Sequence, residues 1–171
     1  MLESERSCAL NDNKSQPVNA LVVIVEGFDE VEAVVTLSTL RREGINTKSV
    51  GLTDGIIRGA HGILLKPDYT LTDLSQSMDI LSINLVVLPG DVRNLAALEV
   101  DPRIHSLLGQ LLTRGGIVAA NIQSQPTLQM MLAQQYLADE HRASQMLFWR
   151  PADLSIAAFA QGLARKLVDV G

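Results

Sequence analysis

The stretch GGIVAANIQSQPTL, from Gly115 to Leu128, has the form of a buried strand breaking into a helix, a place where many α/β enzymes hold a nucleophile. At the break stand Asn121, Ile122, Gln123 and Ser124, with no cysteine or histidine among them. A glutamine amide has no deprotonated form near neutral pH, and isoleucine has no heteroatom at all. Ser124 is the one hydroxyl, and it needs a base within hydrogen-bond reach to become a nucleophile. His141 is the candidate base, although its setting, ADEHRAS, is a charged stretch that reads as exposed loop. Upstream, Glu32 is the second acid of the EVE run after Phe28-Asp29, beside Glu30; by position alone it reads as a solvent-facing helix glutamate, and burial would raise its pKa.

Other chemistries find little footing. His61 in RGAHG reads as a satisfied turn histidine, and His105 falls one step off an apolar helical stripe and reads as solvated. Three scattered histidines without CxxC or HxxxH spacing give no metal site. Gly27 and Gly90 are single glycines at strand ends, outside any GxGxxG or GxxxxGK[ST] frame, so no nucleotide cofactor is expected. The lone Cys8 lies in a polar start whose composition reads as a flexible tail over residues 1–18. It lacks the structured electropositive setting that a reactive thiolate needs.

The chain has 171 residues, 47% of them hydrophobic, enough for one domain with a real core over residues 19–171. A formal net charge of −5 with no Lys/Arg cluster argues against nucleic acid and anionic lipid as partners. The longest apolar runs, ALVVIVE and NLVVLPG, are far short of the roughly 20 residues that span a bilayer. The polar, acidic start lacks the features of a secretory leader, so a cytoplasmic location is expected.

The elements that must position Glu32 and the break at 121–124 follow from periodicity. Ala20 to Val25, Ile83 to Leu88 and Ile117 to Ala120 are continuous apolar runs, as in strands buried on both faces. Thr47 to Leu52 is a further apolar stretch, and Ile63 to Lys66 another before Pro67. A helix follows the first strand, with Ala33, Val34, Leu37 and Leu40 on one face and Gly44 at its end. Asp101-Pro102 open a second helix carrying Ile104, Leu107, Leu108 and Leu111 on a stripe. Pro126 to Leu137 continues as helix after the break, and Ala152 to Val170 closes the chain with Ile156, Phe159, Ala160, Leu163, Leu167 and Val170 on one face. Phe148 and Trp149 form an aromatic cluster suited to core, edge strand or a dimer contact. Strands alternating with helices predict an α/β three-layer sandwich, a mainly parallel sheet with helices on both faces. Its crevice lies at the carboxyl ends of the strands, which draws attention to three loops, 26–32, 89–94 and 121–126.

The stretches EGFDEVEAVVTLSTLRREGI, NLVVLPGDVRNLAALEVDPRIHSLL and GGIVAANIQSQPTL, with RGAHGILLKPD between the first two, together resemble the ThiJ/PfpI superfamily. These are class I glutamine-amidotransferase-like domains of flavodoxin-like architecture, a superfamily that includes a parkinsonism-linked deglycase and chaperone. The resemblance implies a cysteine on a strained strand-to-helix elbow, a glutamate from the first loop beside it, and backbone N–H groups forming an oxyanion hole. Glu32 matches the glutamate. The cysteine position falls on Gln123, or on Ile122 with a shift of one residue. Asp91 stands where the family commonly has a second glycine, which puts a carboxylate beside a site meant to stabilise negative charge. The segment LAQQYLADEHRASQMLFWRPAD is short by family standards, and the turn before the last helix is recut to Arg150-Pro151-Ala152-Asp153.

The reading that follows is a domain without the nucleophilic cysteine. It would act by binding or oligomerising, as the homodimer that the resemblance implies, with Gln123 hydrogen-bonded to Glu32 and a small molecule in the residual pocket of Glu32, Asp91 and Gln123. The competing reading is a hydrolase, glyoxalase or deglycase-type enzyme using Glu32 with Ser124 or an ordered water. A third is a fragment or divergent paralogue whose pocket rim an active relative completes in trans.

Overall fold

A computed structural model describes residues 19–77, 80–133, 136 and 139–169. The expected tail over residues 1–18, with Cys8, lies outside the described residues, as do Leu137 and Val170.

Strand β1 (Ala20–Ile24) is fully buried, and its side chains alternate between two cores. Leu21 and Val23 face one side of the sheet, while Ala20, Val22 and Ile24 face the other. That double burial explains why the run reads as uniformly apolar and not as alternating. It pairs in parallel with β2 (Thr47–Gly51) on one side and with β6 (Leu85–Leu88) on the other. Beyond β2 lies the two-residue β5 (Tyr69–Thr70), and beyond β6 come β7 (Ile117–Asn121) and the edge strand β8 (Leu147–Arg150). The order β5-β2-β1-β6-β7-β8 is all parallel, the three-layer α/β architecture that the strand and helix alternation predicts. The chain runs outward from β1 to β2 and β5, then crosses back to β6 on the other side of β1, which makes the gap between β1 and β6 the switch point where such sheets bind ligands.

One face is covered by α1 (Glu30–Arg42) and α7 (Ile156–Asp169), whose Leu37, Leu40, Ala160 and Leu163 share a core with Val22 and Val87. The other is covered by α2 (Leu71–Ser77), α3 (Val92–Glu99), α4 (Pro102–Thr113) and α5 (Gln125–Ala133). In α4 the Asp101 carboxylate caps the Arg103 N–H, Pro102 takes the first turn, and Ile104, Leu107, Leu108 and Leu111 are all buried.

Several elements differ from expectation. Val34 does not lie on the buried face of α1. It is 46% exposed, and Thr36 takes its place inward. Ile63 to Lys66 contributes β4 (Leu64–Leu65), which pairs antiparallel with β3 (Ile57–Arg58) in a separate hairpin. ADEHRAS is not a loop: Asp139 caps the His141 N–H and starts α6 (Glu140–Met146). The last helix begins at Ile156 and not at Ala152, because Ser155 Oγ accepts from the Ala158 N–H and fixes the start there. His105 is half-buried instead of solvated, its Nε2 2.7 Å from the Glu99 carbonyl. Among the described residues, no helix is long and apolar enough to cross a membrane.

Candidate functional site

The carboxyl ends of β1, β6, β7 and β8 bring Glu32, Gly90, Ser124 and Arg150 into one crevice. Asp29 caps α1 by accepting from the Glu32 N–H at 2.8 Å, which sets the first turn and aims the Glu32 carboxylate across the switch point. That side chain is 6% exposed. Its Oε2 accepts from the Gly90 N–H at 2.8 Å, and its Oε1 accepts from Arg150 Nε at 3.3 Å. Burial pushes its pKa up, against the opposing pull of the Gly90 N–H and the Arg150 guanidinium, with Asp29 adding to the rise.

Gly90 needs its residue type. Its φ is +107°, and an added Cβ would run into the Asn94 side chain. The Asn94 amide is tied down by a capping box. Its Oδ1 accepts from the Asp91 N–H at 3.1 Å, while the Asp91 carboxylate accepts from the Arg93 N–H at 2.9 Å. Asp91 therefore turns away from the crevice and pairs with Arg93 at 2.8 Å. The hydrogen bond from Arg93 outweighs desolvation and holds the Asp91 carboxyl below the usual range.

The break after β7 is relaxed. Asn121 sits at φ −67° and ψ 144°, and its side chain caps the Gln123 N–H at 3.1 Å to start a 3₁₀ turn over Ile122–Ser124 that runs into α5. Among the described residues, no non-glycine has a positive φ, so the turn does not hold the strain expected of a nucleophile elbow. Gln123 is exposed and does not bond Glu32 as the sequence suggested. Arg150 occupies that role, because the register that sets Arg150 beside Asn121 carries its side chain over the crevice. Ser124 is buried and donates to the Gly90 carbonyl at 3.3 Å. The Nε2 of His141 lies 3.2 Å from Gln145 Nε2, on the exposed face of α6, so the structure does not bring Ser124 and His141 together as a pair.

Arg150 is the site residue that sequence reasoning missed. Its signal was an arginine closing an apolar edge strand in a chain with a buried acid to neutralise. Its side chain is 13% exposed and also donates from Nη1 to the carbonyls of Leu154 at 3.0 Å and Pro151 at 3.4 Å.

A second acid at the start of α1 clips the hairpin in place. Glu30 is buried and accepts from the His61 ring Nδ1 at 2.9 Å, the His61 N–H at 2.5 Å and the Ile63 N–H at 3.4 Å. Burial works to raise Glu30, but these donors win and hold it at about 2. The same contact raises the exposed His61. The sign of the pH dependence follows. The His61 contribution is complete below its ordinary 6.5 and is lost as pH rises through the raised value. The Glu30 contribution is present above 4.5 and is lost as pH falls toward about 2. Hydrogen exchange of the Gly59 and Ile63 amides, corrected for intrinsic rates, should show strongest protection between those limits. His61→Ala should remove the alkaline decline and keep the acid one.

Among the described residues, no group of three or more His, Cys, Asp or Glu is placed to hold a metal ion.

Comparison with known proteins gives a consistent picture. The model of the DJ-1/PfpI family matches residues 18–148. Protein dj-1beta of Drosophila melanogaster is 29% identical over 111 residues, 64% of this chain and 57% of that protein. The Parkinson disease protein 7 homolog of Danio rerio is 28% identical over 102 residues, 59% of this chain and 52% of that protein. The chain thus matches a little over half the length of these curated relatives. Among solved structures, the crystal structure of Drosophila melanogaster DJ-1beta superposes with a TM-score of 0.67 at 21% identity, covering 88% of this chain and 90% of that one. Oxidized DJ-1 of Toxoplasma gondii superposes at 0.69 with 20% identity, covering 90% and 97%.

Proposed function

The chain belongs to the DJ-1/PfpI family, and from that membership we propose that residues 19–171 form one family domain that does no covalent chemistry and acts by binding, as a cytoplasmic homodimer. One observation carries the reading. Three backbone donors at the crevice are already committed inside the protein: Gly90 N–H to Glu32, Asp91 N–H to Asn94 and Gln123 N–H to Asn121. An oxyanion hole works because its donors are free and aimed at the reacting atom. The resemblance sets the family cysteine at Gln123, or at Ile122 with a shift of one residue; neither side chain is a nucleophile, and Gln123 is exposed.

The dimer reading rests on an apolar patch. Val31 and Val34, 62% and 46% exposed, are neighbours one turn apart on α1. Ile63 and Leu64, 55% and 62% exposed, sit on the hairpin that Glu30 pins to the start of the same helix. Exposed apolar groups clustered in this way favour association. Sedimentation should show a dimer for the wild type and a monomer of unchanged circular dichroism for Val31→Glu/Leu64→Glu.

The competing reading, a hydrolase, glyoxalase or deglycase-type enzyme using Glu32 with Ser124 or water, is tested on the same preparation. Methylglyoxal and a general ester should turn over no faster than in buffer. Turnover present in the wild type and lost in Glu32→Gln would overturn the non-catalytic reading.

A further inference from the structure

The crevice holds a cation of its own. The Glu32 carboxylate is buried, and leaving it there without a counter-charge is costly. Its two oxygens have distinct roles. Oε2 is held by the Gly90 N–H, which fixes the plane of the carboxylate, and Oε1 is left facing β8, where Arg150 Nε meets it. The Nη1 of the same guanidinium reaches the Leu154 and Pro151 carbonyls on the turn before α7. Acceptors on two separate segments are thus bridged by one rigid planar fork, a task that a compact ammonium cannot perform.

We propose that this crevice is a guanidinium-binding site which the chain fills with its own Arg150, so that Arg150 is an autoinhibitory plug. Withdrawing the plug makes the site available to a small guanidinium compound. The plug is the last residue of an edge strand, and the residues that follow it, Pro151 to Ser155, are all exposed. Arg150 itself is held in β8 by its pairing with β7, so withdrawal of the plug involves its side chain and the exposed turn after it, not the strand. This inference rests on the reading of the pocket as a binding site. Its readout is binding alone, so turnover in the wild type would defeat that reading without touching this one, and a failed titration would do the reverse.

The test uses the full chain carrying Arg150→Ala. Methylguanidinium chloride, methylammonium chloride and sodium chloride are titrated separately while the Gly90 amide resonance and the melting temperature are followed. The expected result is a saturable methylguanidinium shift at roughly millimolar concentration, the range open to so few atoms. Methylammonium and sodium should give no saturable shift. The wild type, already plugged, should not respond, and neither should Arg150→Ala/Glu32→Gln. If Arg150→Ala does not fold, Arg150→Gln takes its place, since its amide can keep the Leu154 carbonyl while leaving Glu32 without a cation. No saturable shift in the folded variant, an equal response to methylammonium, or a shift that survives Glu32→Gln would overturn the proposal.

Discussion

Gly90→Ala should cost the fold about 2–4 kcal/mol and lower its melting temperature by roughly 5–15 °C, the conversion usual for a domain of this size. Two effects add. At φ +107° an alanine sits in a backbone region that L-residues avoid, at about 1–3 kcal/mol. Its Cβ would also collide with the Asn94 amide, forcing that side chain out of the capping box and giving up about 1 kcal/mol of helix-start stabilisation. Gly115→Ala is the control. Its φ is +83°, but nothing lies within 4 Å of the added Cβ, so it bears the conformational cost alone. Equal losses in the two variants, measured by urea denaturation, would show that the Asn94 contact has no energetic weight and that the loop at 89–94 is looser than described.

The second large effect concerns the Glu32–Arg150 pair. Arg150→Met keeps an apolar stem but strips Glu32 of its cation, and it should destabilise by about 2–4 kcal/mol. This lies somewhat below the roughly 3–5 kcal/mol typical of a broken buried pair, because the Gly90 N–H remains and the acid can take up a proton. Combining Arg150→Met with Glu32→Gln should recover part of that loss, since the amide oxygen still accepts from Gly90 and no charge is stranded. The double-mutant cycle should therefore yield a coupling of about 1–3 kcal/mol. The loss in Arg150→Met should also depend on pH. With its cation gone, the folded-state pKa of Glu32 rises further above the unfolded value. Stability is then greatest below the unfolded value and falls as pH climbs through the folded one. A variant equally unstable at pH 5 and pH 8, or an additive cycle, would mean that the two side chains do not depend on each other.

The frame was readable because its causes are local. Strands buried on both faces leave uninterrupted apolar runs, and β1, β6 and β7 do so. Asp101-Pro102 announces a helix start chemically, and α4 begins there. The same locality hid other features. Val34 fits the helical period of α1 yet faces outward, since the side that needs covering is set by where β1 and α7 lie. The start of α3 is harder to read, because its signal is a capping box of Asp91 with Asn94 in place of the usual Glu or Gln. At the site, Glu32 and its first loop were legible from the resemblance. The partner of Glu32 was not, since Arg150 lies 118 residues away and reaches it only through the parallel register of β7 and β8. Gln123 was assigned to that partnership on chain position, but the cap by Asn121 turns it to solvent.

That cap on the turn after β7 has an evolutionary consequence. With Asn121 satisfying the turn internally and no strained residue to present a side chain inward, a thiol introduced at position 123 would emerge on the surface, away from the acid that should activate it. Placing a thiol beside Glu32 would require the asparagine cap and the arginine on β8 to change together. A cysteine at position 123 alone would therefore leave the thiol apart from Glu32.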